Sequence, residues 1–152
     1  MATSFISKDG VHGFWVNDAL VQIICWGFLN VIDNPSVESA AWTRTEFRKY
    51  IYHCSLGYFV GFTTLSLNKY IQTHENEKEF NSLIEDTKKF FSAKGDLIPA
   101  EEINAFQHDE STRRTWLHPF ETKRAIKILE YIRKVANDIM PIRVDDSIDY
   151  SF

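Results

Sequence analysis

Cysteine is scarce in this sequence of 152 residues. There are two, Cys25 and Cys54, and both lie inside apolar runs. With no CxxC pair and no dense cysteine pattern, a disulfide scaffold and a zinc ribbon are excluded. Two buried thiols in a reducing compartment are expected, with a single disulfide between them as the open alternative. Histidines are few and scattered, at positions 12, 53, 74, 108 and 118, and none forms H-E-x-x-H. His108, Asp109 and Glu110 are adjacent but read as a solvated loop, so no metal and no cofactor is expected. G-x-S-x-G, a Walker A loop and G-x-G-x-x-G are all missing, which removes the common hydrolase and nucleotide-binding signatures. Long hydrophobic runs are missing as well. Ala19–Ile32 is too short to span a bilayer. Tyr50–Asn68 has no formal charge but carries His53, Ser55, Thr63, Thr64, Ser66 and Asn68, which hydrocarbon disfavours. Residues 1–18 contain Lys8, Asp9 and Asp18 and no early apolar block, unlike a secretory leader. A cytoplasmic protein with no membrane contact is expected.

What is abundant is aromatic side chain: twelve Phe, six Tyr and four Trp, which suits a core of large residues. The length predicts one domain able to bury that core without disulfide or metal support. Its organising stretch is Ala19–Ile32, with eleven apolar residues in fourteen and no charge. On a helix these cover an arc of roughly 200°, so other elements must wrap it on most sides. Asn17 or Asp18 can cap it, and Asp33-Asn34-Pro35 stops it. Trp26 falls in the narrow polar strip. A partly exposed ring, or one covered by another segment, is expected there.

The remaining pattern is helical. Ser36 caps a short helix through Trp42. Thr43 and Glu46 form a capping box before Phe47, Tyr50, Ile51 and Cys54. That spacing continues to about Gln72, with Gly57 as a possible break. Glu75–Ser92 is amphipathic, and Gly95 follows as a helix-end glycine. Pro99 opens a short helix to Phe106, and Pro119 opens the last one, Phe120–Met140. On that helix Glu130 stands four residues before Lys134, the favourable order for a pair. The expectation is an all-α fold: a compact single domain over residues 1–140, with five or six helices around the central apolar N-terminal helix, and an acidic tail over 141–152. Leu20, Ile24, Phe28, Ile128, Leu129 and Ile132 are its predicted core.

Charge is segregated. Residues 1–74 are neutral, 75–110 carry net −6, 113–134 net +5 and 138–152 net −3, which reproduces the overall −4. Either the acidic and basic elements lie beside each other or are simply solvated, or the acidic stretch faces a basic partner.

Two resemblances bear on function. Arg113-Arg114-Thr115-Trp116-Leu117-His118 reads R-x-x-x-x-H and resembles the motif of the all-helical HEPN ribonucleases. The resemblance implies phosphate contact by Arg113 and acid–base chemistry by His118. This chain departs from the family pattern with a second Arg after the first and Pro119 after the His. Arg48 and His53 share the same spacing. The second resemblance is one of character. A small acidic single domain without catalytic motifs resembles the immunity proteins of bacterial toxin–immunity pairs. The acids Glu101, Glu102, Asp109, Glu110, Asp145, Asp146 and Asp149, with Phe106, Trp116, Tyr150 and Phe152 as aromatic anchors, would then be the partner-binding set. That resemblance implies a non-enzymatic protein with a cognate toxin domain as partner, and no nucleic-acid ligand.

Overall fold

A computed structural model describes residues 3–56, 65–106 and 115–140, with only the backbone at 65 and 66. The chain opens with a hairpin, β1 (Thr3–Ser7) and β2 (Gly13–Asn17), paired antiparallel from Thr3 with Asn17 to Ser7 with Gly13. The turn is held by Asp9, whose side chain accepts from the Val11 and His12 amides at 2.8 and 2.7 Å, with Gly10 at φ 82°. A third strand, β3 (Leu65–Ser66), joins β1 in parallel, giving the order β2-β1-β3. A second, two-stranded sheet pairs β4 (Leu97–Ile98) with β5 (Phe120–Glu121). The all-α expectation is therefore corrected: the fold is mostly helical with two small sheets. Alternation could not betray β1, because Ser4, Phe5, Ile6 and Ser7 are all buried and both faces of the strand are covered.

Helix α1 (Asp18–Ile32) is central. Twelve of its fifteen residues are buried, and it touches the first two strands and the three other long helical elements. Asn17 is its N-cap, accepting from the Ala19 amide at 2.8 Å. Helix α2 (Arg48–Ser55) covers one flank of α1, and α3 (His74–Ser92) another. Thr73 caps α3 through the Asn76 amide. Helix α4 (Ala100–Phe106) is short, and α5 (Thr122–Ala136) closes the far side against α3 and β1. Every member of the predicted core set is buried.

Three helix boundaries differ from expectation. No short helix runs from Ser36 to Trp42, and Thr43 does not cap. Thr43–Phe47 is a π-helical turn leading into α2, and the Thr43 hydroxyl donates back to the Ala40 carbonyl at 2.6 Å. The wider turn swings Trp42 and Phe47 to one side, where their rings meet at 5.6 Å. The helix then ends at Ser55, with Leu56 as its C-cap, and does not continue to Gln72, because the chain must return as β3. Finally, Phe120–Glu121 is strand, and α5 stops at Ala136, where Asp138 takes φ 58°. A left-handed residue ends the helix before Pro141 is reached.

Candidate protein-binding face

The face that collects the sequence-named residues is built on α4. Ile103, 1% exposed, anchors this short helix to the core. Asn104 points the other way and clamps the returning chain: its amide donates to the Trp116 carbonyl at 3.0 Å, and its oxygen accepts from the Trp116 amide at 2.8 Å. That reciprocal pair fixes the Trp116 backbone against α4. Glu101 lies three positions before Asn104, on the same helix face, and is exposed. Trp116 is half-buried, its ring edge-on to Phe120 at 6.3 Å. Beside it Leu117 is 77% exposed, and Leu97, on the strand leading into α4, is 52% exposed. No feature of the sequence pattern marked Leu117 or the Asn104 clamp, since a short helix with one asparagine looks like any other.

Of the partner-binding set, then, Glu101 shares the α4 face of Asn104, to which Trp116 is clamped, whereas Glu102 turns to Lys94. Asp109, Glu110, Asp145, Asp146 and Asp149, with Tyr150 and Phe152, lie outside the described residues, as do the 141–152 tail and Arg113. His118 is exposed beside Leu117, and in the second R-x-x-x-x-H run Arg48 forms a two-pronged ion pair with Asp33, at 2.6 and 2.8 Å.

Trp26 is covered by another segment. It is 6% exposed under the rings of Phe90, Phe91 and Phe106, at 5.6, 6.3 and 5.3 Å. The Lys94 ammonium sits 5.7 Å from its centroid and 5.0 Å from that of Phe90, and also binds Glu102. Glu102 is thus part of an internal pair, and Glu101 is the more available charge.

The segregated charges lie on neighbouring helices, but the ion pair between them joins the minority charge of each. Acidic α3 lies against basic α5, and Lys88 of α3 contacts Glu130 of α5. Glu130 also accepts from Arg133 at 2.6 and 3.0 Å. The expected Glu130–Lys134 pair does not form, because the cross-helix lysine takes that carboxylate, and Lys134 rests over Tyr131. Within α3, Lys88 and Lys89 also meet Glu85 and Asp86, at 3.2 and 3.0 Å. Among the described residues Glu75, Glu79, Asp96 and Glu101 are the acids of the 75–106 stretch without an ion pair, and Glu79 accepts instead from the Trp42 indole at 2.6 Å.

The hydrogen bond from Lys88 holds the Glu130 carboxyl below its ordinary value of 4.5, against an opposing push from burial. A depressed folded-state value means that this carboxylate stabilises the fold above 4.5 and that the contribution fades as pH falls through the folded value. Glu130→Gln should therefore lower the melting temperature at neutral pH. The gap to wild type should shrink on acidification. Melting curves across that range check it, and a gap that stays constant would show that the pair contributes nothing.

Cys25 and Cys54 are free, buried and hydrogen-bonded to each other. That bond and burial together push the Cys25 thiol well above its usual value, which makes it a poor nucleophile. Among the described residues no three His, Cys, Asp or Glu side chains gather as for a metal ion, and no helix is long and apolar enough to cross a membrane. No protein-family description, curated protein or solved structure matches this chain.

Proposed function

We propose that this chain is a non-enzymatic, stoichiometric binding protein. Its most concrete form is an immunity-type inhibitor that covers a basic, nuclease-like toxin. One observation carries the reading. Leu117, 77% exposed, stands next to half-buried Trp116 on a backbone clamped to α4, within the same face as the unpaired carboxylate of Glu101. A large apolar group held rigidly in water is what an interface anchor looks like before its partner arrives. Rigidity lowers the ordering cost on binding. A nuclease holds phosphates with Lys and Arg, because neutralising backbone charge dominates its affinity. Carboxylates beside the anchor would steer such a surface into place.

The test is association with basic nuclease-toxin domains, produced from any such reading frame flanking this gene, followed against salt. Glu101→Lys should slow association and reduce its salt dependence. Leu117→Ser should instead speed dissociation, weakening binding by roughly tenfold to a hundredfold. Neither side chain supports the core, so melting should be unchanged in both. Wild-type affinity in both variants would remove this face from the account.

A further inference from the structure

Two donors are aimed at the sulfur of Cys54. This residue stands one position before the end of α2 and faces Cys25 on α1, the helix against which α2 packs. The Cys25 thiol donates to the Cys54 sulfur, and the Tyr50 hydroxyl, one turn earlier on α2, donates to the same atom. The bond from Cys25 and the bond from Tyr50 hold the Cys54 thiol below its ordinary value of 9.0, against the opposing push of burial. Cys25, as the donor, is pushed up by that same bond and by burial. Tyr70, whose ring meets that of Tyr50 at 5.6 Å, is the further titratable group that feels Cys54. The two sulfurs thus differ in role before any reagent arrives. Cys54 is the nucleophile and Cys25 is its proton-bearing partner. A thiol packed only as a small hydrophobe needs no such donors.

Neither sulfur is open to a bulky reagent, with Cys25 1% and Cys54 3% exposed. Access runs through the last turn of α2, where carbonyls lack intrahelical partners and fraying costs least. The Gln22 amide ties that end to α1 through a long bond to the Ser55 carbonyl, 3.4 Å. Opening one turn admits a molecule little larger than water, which selects a peroxide over a glutathione-sized disulfide as oxidant. Sulfurs already in hydrogen-bond contact need to move only on the order of 1 Å each to reach bonding distance, about 2.05 Å. We infer that Cys25 and Cys54 are a reversible redox pair, in which hydrogen peroxide oxidises Cys54 and Cys25 then closes a disulfide between α1 and α2. In the first step the Cys54 thiolate attacks one peroxide oxygen. The O–O bond breaks, Cys54 becomes a sulfenic acid, and the departing hydroxide takes up the proton that the thiol gave. In the second step the Cys25 sulfur attacks the Cys54 sulfur, its proton passes to the sulfenic oxygen, and water leaves. Together the thiols lose two electrons and two protons, and one peroxide becomes two waters. A dithiol reductant reverses the change. The pair uses no residue of the α4 face, so it stands or falls apart from the binding-protein reading.

The experiment exposes the folded full chain to hydrogen peroxide and follows intact mass and the thiol count in denaturant. The expected product is a monomer lighter by about 2 Da, the two hydrogens lost in disulfide formation, with both thiols gone and both restored by dithiothreitol. Cys25→Ala should stop at a Cys54 sulfenic acid, trapped as its dimedone adduct. Cys54→Ala should leave Cys25 unreacted over the same exposure. Tyr50→Phe should slow the reaction several-fold and move its rise with pH upward, a shift that a merely structural side chain would not produce. The wild-type mass decides the pairing by itself should an alanine variant fail to fold. Retention of both thiols in the folded chain, under peroxide that oxidises free cysteine, would overturn the inference. So would disulfide-linked dimers, or a Cys25 that reacts as readily as Cys54.

Discussion

Phe28→Ala is expected to destabilise the protein by about 3–5 kcal/mol, the range for emptying a buried phenylalanine site. Phe28 sits at the middle of α1 with no exposed surface, its ring 6.0 Å from Phe47 and 6.1 Å from Phe80. Three elements, α1, the π-helical turn before α2 and α3, converge on that one side chain. The cavity cannot close by a local shift, because Phe47 and Phe80 also meet each other edge to face at 5.6 Å. Urea unfolding measures the loss. A change under about 1 kcal/mol, far below that range, would mean that α1 is not the centre of the fold.

The neighbouring position gives a loss of opposite origin. Gly27 lies inside α1, where alanine ordinarily stabilises a helix by about 1 kcal/mol. Here a Cβ would stand 2.4 Å from Phe91 Cε2, 2.6 Å from Phe91 Cζ and 3.1 Å from the Thr87 methyl. Neither neighbour can yield cheaply. Phe91 is fully buried, and the Thr87 hydroxyl is tied to the Leu83 carbonyl at 2.7 Å, which aims its methyl at the glycine. Gly27→Val should therefore cost about 3 kcal/mol, the upper part of the overpacking range. Gly27→Ala should also destabilise, reversing the helix-propensity sign. Adding Phe91→Leu should recover part of the loss, a coupling expected of residues in contact. If Gly27→Ala is stabilising, α3 does not approach α1 as closely as described.

Gly27 also shows what the sequence could and could not disclose. Eleven apolar residues in fourteen marked α1 as wrapped, and the Asn17 cap and Asp33 stop were readable from local chemistry. The amphipathic period of α3, Pro99 before α4 and the apolar arc of α5 were equally legible. The use of Gly27 as a contact point was not, because close approach depends on which helix arrives. The strands were hidden for a different reason. β1 is covered on both sides, and β3, β4 and β5 have two residues each, too short for any period to register. Thr43 and Glu46 carried the letters of a capping box, yet tertiary packing of Trp42 and Phe47 carried the helix through them as a π turn. Trp26 fell on the polar strip of α1, but Phe90, Phe91 and Phe106 roof it, and only their joint arrival makes that position apolar.

The site was legible in part. Glu101, Glu102 and Trp116 were picked out by charge and aromaticity, and the structure sets Glu101 beside the Asn104–Trp116 clamp and Glu102 against Lys94. Charge alone could not separate Glu101 from Glu102, because the partner of Glu102, Lys94, sits eight residues earlier and meets it only through the turn after α3. The exposed Leu117 and the Asn104 clamp beside it arise from the meeting of separate segments and leave no local trace.

The most direct test of the central claim is to mix the purified chain with a basic nuclease-toxin domain, taken from any such reading frame flanking its gene. RNA integrity and complex mass are then followed together. The account predicts a one-to-one complex in which toxin activity is lost, and no RNA cleavage by this chain alone. RNA cleavage by the chain alone, abolished by His118→Ala, would contradict the binding-protein account and establish the ribonuclease reading in its place.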